Sequence, residues 1–148
     1  MSNSLFVDTL GWANIFVPSE KSHTIAAAHF RQAIFTEQPI ITTNYVIAEL
    51  IALLHSPLGI TRSKLFQHID VVRSNPYITR IRIDAELDQT AWNLCKARSD
   101  KPWSLVDCTS FVLMKQLKIQ TALTTDDLRS VVDHRHFNQA GFIRLLKP

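Results

Sequence analysis

The sequence predicts a three-layer α/β fold, with a largely parallel central sheet of four to five strands flanked by helices. Two observations carry this. Short apolar, β-branched runs alternate with longer segments of helical pattern along the chain, as strand–helix–strand units do. No internal repeat, low-complexity run or linker interrupts the 148 residues, so a single domain over 1–148 is expected, long enough to bury a real core.

Taken in order, residues 5–7 (Leu-Phe-Val) form a short buried strand. Residues 22–35 read as a helix, with Ile25, Ala28 or His29, Ala33 and Phe35 only roughly periodic. A second strand covers 39–42. Thr43 or Asn44 then caps a long apolar helix to about His55, where Ser56-Pro57-Leu58-Gly59 breaks it. A more polar helix over 61–74 puts Leu65, His68 or Ile69, and Val72 on one face. Residues 77–83 alternate, Ile78, Arg80 and Arg82 against Thr79, Ile81 and Ile83, which is strand-like. Residues 84–98 are helical and open on acids, which favour a helix N-terminus. Residues 107–117 form a buried helix, and 120–123 and 142–146 are the last two strands.

Composition excludes several classes. A hydrophobic fraction of 46% with only 3 Gly and 6 Pro speaks for an ordered globular chain rather than a disordered one. No apolar run approaches the roughly 20 residues that span a bilayer. Met1-Ser2-Asn3-Ser4 carries no basic residue before its short apolar segment, so neither a membrane span nor a secretory leader is expected. Cys95 and Cys108 lack metal-ligand spacing, and free thiols in a reducing cytoplasm account for them. The net charge is +3. With four suspected site acids set aside, sixteen basic residues face nine acids, a balance that suits a polyanionic partner such as nucleic acid.

Those acids stand out because each sits in an apolar stretch. Asp8 follows Leu5-Phe6-Val7, Glu49 lies within Tyr45-Val46-Ile47-Ala48-Glu49-Leu50-Ile51, and Asp107 follows Ser104-Leu105-Val106. Taking an isolated carboxylate out of water costs several kcal/mol or more unless it is paired or binds a metal. Asp126-Asp127 follows a further apolar run. In a parallel sheet, functional groups gather at the carboxyl ends of the strands. Four acids from distant positions are therefore expected to converge on one edge as a divalent-cation site.

Four motifs carry a family resemblance: Phe6-Val7-Asp8-Thr9; Thr42-Thr43-Asn44-Tyr45-Val46-Ile47-Ala48-Glu49; Ser104-Leu105-Val106-Asp107-Cys108-Thr109-Ser110-Phe111; and Ala122-Leu123-Thr124-Thr125-Asp126. Together with the tail His136-Phe137-Asn138-Gln139-Ala140-Gly141-Phe142, they resemble the PIN-domain ribonucleases, most of all the VapC-type toxins of toxin–antitoxin pairs. The resemblance covers essentially the whole chain. It implies metal-dependent endoribonuclease activity on RNA, with Mg²⁺ or Mn²⁺ held by Asp8, Glu49, Asp107 and Asp126. It also implies a small antitoxin partner and a homodimer. Hard cations of this kind take carboxylate and water oxygens. A bound ion lowers the pKa of a water and offsets charge on the leaving oxygen. Thr9, Asn44, Ser104, Thr124 and Thr125 are candidates to hold the carboxylates or their waters in place.

In one place the sequence departs from the family pattern. Residues 127–135 stand between the fourth acid and the His-Phe tail, so Asp126, Asp127 and Asp133 compete for the fourth position. Asp126 is chosen because Thr124-Thr125-Asp126 keeps the strand-to-loop register. His134 and His136, spaced as HxH without a third ligand, read as loop or helix-end residues. Cys108 reads as a small core residue and Trp12, Trp92 and Trp103 as core, with Trp12 near enough to the site to stack a base. Arg80, Arg82, Lys96, Arg98 and Lys101 suit an RNA backbone, but solvated surface explains each of them singly. The alternative function is a catalytically silent PIN-fold module that binds RNA or a partner. A haloacid-dehalogenase-like phosphatase wants a second Asp where Leu10 stands.

Overall fold

The computed structural model describes residues 3–124 and 136–146. Five short strands, β1 (Leu5–Val7), β2 (Ile40–Thr43), β3 (Ile78–Ile81), β4 (Thr121–Leu123) and β5 (Ile143–Arg144), form one sheet in the order β3-β2-β1-β4-β5. Every pairing in it is parallel. Helices α1 (Thr9–Phe16) and α2 (His23–Phe35) connect β1 to β2, and α3 (Asn44–His55) and α4 (Arg62–Ser74) connect β2 to β3. Helices α5 (Ala85–Ala97) and α6 (Leu105–Gln116) carry the chain back across the sheet to β4, and α7 (His136–Gln139) precedes β5. Connections between parallel strands are right-handed as a rule, which puts α1–α4 over one face and α5 and α6 over the other; α1 packs on α2 and α3, and α5 on α6. The expected parallel three-layer architecture is borne out.

The inner strands β1 and β2 are buried at every residue, so they read as continuous buried runs, whereas the edge strands β3 and β5 carry exposed residues. Phe6, Trp12, Leu50, Leu54, Phe111 and Met114 are almost completely enclosed, each contributing about 1.5–3 kcal/mol of hydrophobic stabilisation. Local chemistry sets the helix starts. Thr43 Oγ1 accepts from Val46 N at 3.0 Å and caps α3, so Thr43 rather than Asn44 is the cap. Asn44 Oδ1 instead accepts from Ile83 N at 2.7 Å, tying the head of α3 to the segment after β3.

Four sequence expectations need correction. Helix α1 is an element that the sequence pattern does not announce: six of its eight residues are buried, so it has no polar face to give a helical period. The buried residues of α2 are Ala26 and Ala33, whereas Ile25 and Phe35 are exposed, Phe35 by 84%. Trp92 is 48% exposed and not core. Trp12 is core alone: it is fully buried, stacks on Phe16, and donates from Nε1 to Thr42 Oγ1 at 3.1 Å, so no base can reach it.

Candidate active site

Strand β1 is followed in sequence by β2 on one side and paired with β4 on the other. The chain therefore changes direction across the β1–β4 seam, where parallel α/β sheets open a crevice at their carboxyl ends. Val7 pairs with Leu123, which sets Asp8 beside Thr124 one step further on. Close packing holds the two ends together. A Cβ on Gly11 of α1 would lie 2.0 Å from Leu123 O, so only glycine lets α1 approach β4 this closely.

The crevice is a cavity of about 280 Å³ lined by, among others, Asp8, Thr9, Glu49, Ser104, Asp107, Thr124 and His136. Three of the four sequence-chosen acids thus share one cavity, from β1, α3 and α6. Asp126, with the competing Asp127 and Asp133, lies outside the described residues, as do Thr125 and His134.

Each carboxylate is held differently. Asp107 sits at the third position of α6, where the helix dipole favours an anion. Its Oδ2 accepts from Ser104 N at 2.9 Å while Ser104 Oγ accepts from Asp107 N at 3.0 Å, a reciprocal capping box. His136 Nε2 lies 3.9 Å from the same Oδ2. Glu49 Oε1 accepts from Thr9 Oγ1 at 2.5 Å. Asp8 Oδ2 accepts from Thr124 Oγ1 at 3.2 Å, but its Oδ1 is buried without a hydrogen-bond partner among the described residues. A capping box alone would explain an acid at Asp107; it does not explain two more carboxylates in the same cavity. Burial first, then the charges of Asp107 and Glu49, push the Asp8 carboxyl well above its usual 3.8. Burial and Asp107 also raise Glu49, against the lowering effect of the Thr9 hydroxyl.

The site also contains His136, which opens α7 as the helix-end residue expected. His136 is buried in the cavity wall, and an HxH spacing gives no sign of that. Of the supporting polar residues, Thr9, Ser104 and Thr124 touch the acids as expected, and Asn44 does not line the cavity. Arg98 is engaged by Asp100 at 3.0 and 3.1 Å and lies over Trp103, so a structural role accounts for it. Cys108 is fully buried 3.1 Å from Cys95 Sγ, and burial pushes its thiol far up, which makes it a core residue and no nucleophile.

The PIN domain family profile matches residues 5–134. The chain belongs to the PIN domain family. A curated relative, the 23S rRNA-specific endonuclease VapC20 of Mycobacterium tuberculosis, is 25% identical over 143 residues, covering 95% of this chain and 97% of that protein. The crystal structure of VapC20, a sarcin-ricin loop cleaving toxin, superposes with a TM-score of 0.75 at 26% identity and covers 95% of this chain and 97% of its own. FitAcB of Neisseria gonorrhoeae has the same fold, with a TM-score of 0.62 at 15% identity over 96% of both chains. The resemblance read from the four motifs is therefore borne out.

A PIN-family site raises the question of a divalent cation. Among the described residues no three of His, Cys, Asp and Glu form a ready-made ligand cage. The donor set still fits a small hard cation. Mg²⁺ takes one or two protein carboxylates and keeps several waters, and the buried Asp8 Oδ1, which no described residue meets, is a lone pair suited to a cation or a water.

Proposed function

We propose that this chain is a metal-dependent endoribonuclease that hydrolyses RNA phosphodiester bonds and serves as the toxin of a type II toxin–antitoxin pair. The observation that carries the reading is the buried Asp8 Oδ1, without a partner among the described residues, in a cavity shared with Glu49 and Asp107. Buried like charges of this kind persist where a ligand of opposite charge offsets them. The activity for which VapC20 is named, together with its match over nearly the whole length, supports RNA as the substrate, and ribosomal RNA is the first class to test.

In this reading Asp8 and Asp107 hold Mg²⁺ or Mn²⁺ directly, and Asp126 adds a carboxylate directly or through water. The ion, when bound, supplies a water of lowered pKa and offsets charge on the leaving oxygen. Glu49, with one oxygen fixed by Thr9, orients the attacking water and takes its proton on the other oxygen. Thr124 fixes the Asp8 carboxylate, and the Ser104 backbone N–H fixes Asp107. The domain spans 1–148, acts in the cytoplasm, dimerises, and is silenced by a small antitoxin. No helix among the described residues is long and apolar enough to cross a membrane.

Total cellular RNA incubated with purified protein, with and without Mg²⁺, Mn²⁺ or EDTA, tests this. Discrete fragments from the wild type, absent with EDTA and with Asp8→Asn, establish the nuclease. Equal cleavage by both proteins overturns the site, and no cleavage of any RNA turns the reading toward a silent binding module.

A further inference from the structure

We propose that Arg73, Arg80 and Arg82, together with Asn44, form a subsite for an RNA backbone phosphate a few nucleotides from the bond to be cut. The proposal rests on the nuclease reading above and extends it from the chemistry to the grip on the substrate. These four residues line a second cavity of about 200 Å³, floored by Ile47 and Ile81, at the β3 end of the sheet.

The polar lining offers donors. Asn44 spends its amide oxygen on Ile83 N, which leaves its NH2 group as the polar function still to be satisfied. No ion pair among the described residues involves any of the three arginines. Arg80 is not a loose surface cation. Its Nη1 donates to the carbonyls of Val72, Asn75 and Ile78 at 3.2, 3.1 and 2.9 Å, which fixes the guanidinium at the carboxyl end of α4. Arg73 stands in the last turn of the same helix and Arg82 just beyond β3. Three guanidinium groups around one small cavity repel one another, and an anion relieves that repulsion. A planar fork of N–H donors suits a phosphodiester in particular.

Register places this cavity relative to the acids. Thr43 pairs with Ile81, and continuing the β1–β2 register brings Asp8 level with Thr43. Asp8 and Ile81 therefore stand in one row, two strand spacings apart, or about 10 Å. With about 3.4 Å of axis per phosphate on one strand, a nucleic acid lying along this edge would put a phosphate within about three nucleotides of the scissile one over the arginines. Asn44, Ile81 and Arg82 stand at the carboxyl ends of β2 and β3, level with the acids, and Arg73 and the Arg80 guanidinium approach the cavity from the last turn of α4.

The test measures binding of a fluorescent, mixed-sequence single-stranded RNA across a salt series. It compares the Asp8→Asn protein with the same protein carrying Arg73→Gln and Arg82→Gln. Arg80 is left intact because it caps α4. Lys115→Gln with Lys118→Gln, the same change in charge away from this cavity, is the control, and thermal unfolding checks that each variant folds. The subsite predicts about tenfold weaker binding near 0.1 M salt for the arginine pair. It also predicts a slope of log K against log salt shallower by about 0.7 for each phosphate no longer neutralised. Little change is expected for the lysine pair. An unchanged slope, or equal losses from both pairs, overturns the subsite whether or not the wild type cleaves RNA. A slope change in a protein that never cleaves RNA overturns the nuclease reading and leaves the subsite standing.

Discussion

At the β1–β4 seam of the sheet's carboxyl edge the charged side chains are carboxylates around an enclosed cavity, and Asp8 Oδ1 is short of a hydrogen-bond donor among the described residues. At the β3 end they are arginines, exposed to solvent, and no carboxylate among the described residues pairs with them. One sheet thus carries two clusters of like charge built in opposite ways. Burial makes the acid cluster costly and selective, because a low-dielectric cavity magnifies both the repulsion and the gain on binding a cation. The arginine cluster, screened by water, costs little and binds an anion with a grip that salt weakens. The same sheet therefore supplies a place for cation chemistry and a place to hold a polyanion.

The largest expected effect comes from breaking the acid end. Asp8→Asn is expected to lower RNA cleavage by about 10²–10³-fold. In metal-free protein the same change is expected to raise the melting temperature by about 3 °C near neutral pH. The sign follows from linkage: Asp8 titrates higher in the folded chain than at its usual 3.8, so the folded state binds the proton more tightly. Stability falls as pH rises from about 3.8 toward the raised value, and the penalty is fully present above it. A neutral amide removes that penalty. Mg²⁺ or Mn²⁺ should raise the melting temperature of the wild type and leave Asp8→Asn nearly unmoved. Calorimetry with and without EDTA checks both, and a variant less stable than metal-free wild type at pH 7 would contradict the electrostatic account.

Gly11→Ala comes next. The added methyl group meets the Leu123 carbonyl, which cannot swing away as a side chain can, so α1 must back off from β4. Overpacking of this kind costs about 2–3 kcal/mol. Because Asp8 and Thr124 stand on the two elements forced apart, cleavage should fall even at temperatures where the variant is folded. Activity unchanged in the folded variant would show that the acid site does not depend on this contact.

Thr9→Val sharpens the role of Glu49. Removing the 2.5 Å hydrogen bond leaves the carboxyl unanchored, for a loss of about 10–100-fold in cleavage. The hydroxyl also lowers the Glu49 pKa against burial and Asp107. Without it the pKa rises further, so the acid limb of the pH–rate profile moves to higher pH if Glu49 works as the ionised base. A profile that only drops, with no shift, would take the base role from Glu49.

How much of this can be read from the sequence follows from what each element buries. Strands that are apolar throughout, and acids stranded among apolar residues, announce themselves, because both patterns are costly in any other setting. Asp8, Glu49 and Asp107 are legible for that reason, and so is the parallel sheet. Helix α1 is not: Gly11-Trp12-Ala13-Asn14-Ile15 is swallowed by the core and shows no period. The seating of α2 by Ala26 and Ala33 is hidden by the larger Ile25 and Phe35, which face solvent. His136 reaches the acid cavity through tertiary placement that no local spacing encodes. The arginine cavity joins the end of α4 to β3, and an exposed arginine in a sequence looks like any other solvated one until its neighbours are known.

The smallest effect tests the seam between the two clusters. Asn44→Ala removes the 2.7 Å bond from Ile83 N, leaving that N–H to find water, at a cost of about 1 kcal/mol. Asn44 lies at the head of α3, five residues before Glu49, so the loss falls on the element that spans both ends of the edge. If the clusters are independent, the variant should bind RNA somewhat less tightly and cleave saturating RNA at the wild-type rate, a change in KM with kcat kept. If α3 instead couples them, kcat should fall as well, because a shifted helix head carries Glu49 with it. Steady-state cleavage of one RNA by both proteins separates the two. A fall confined to kcat would mean that Asn44 serves the acids and not the arginines.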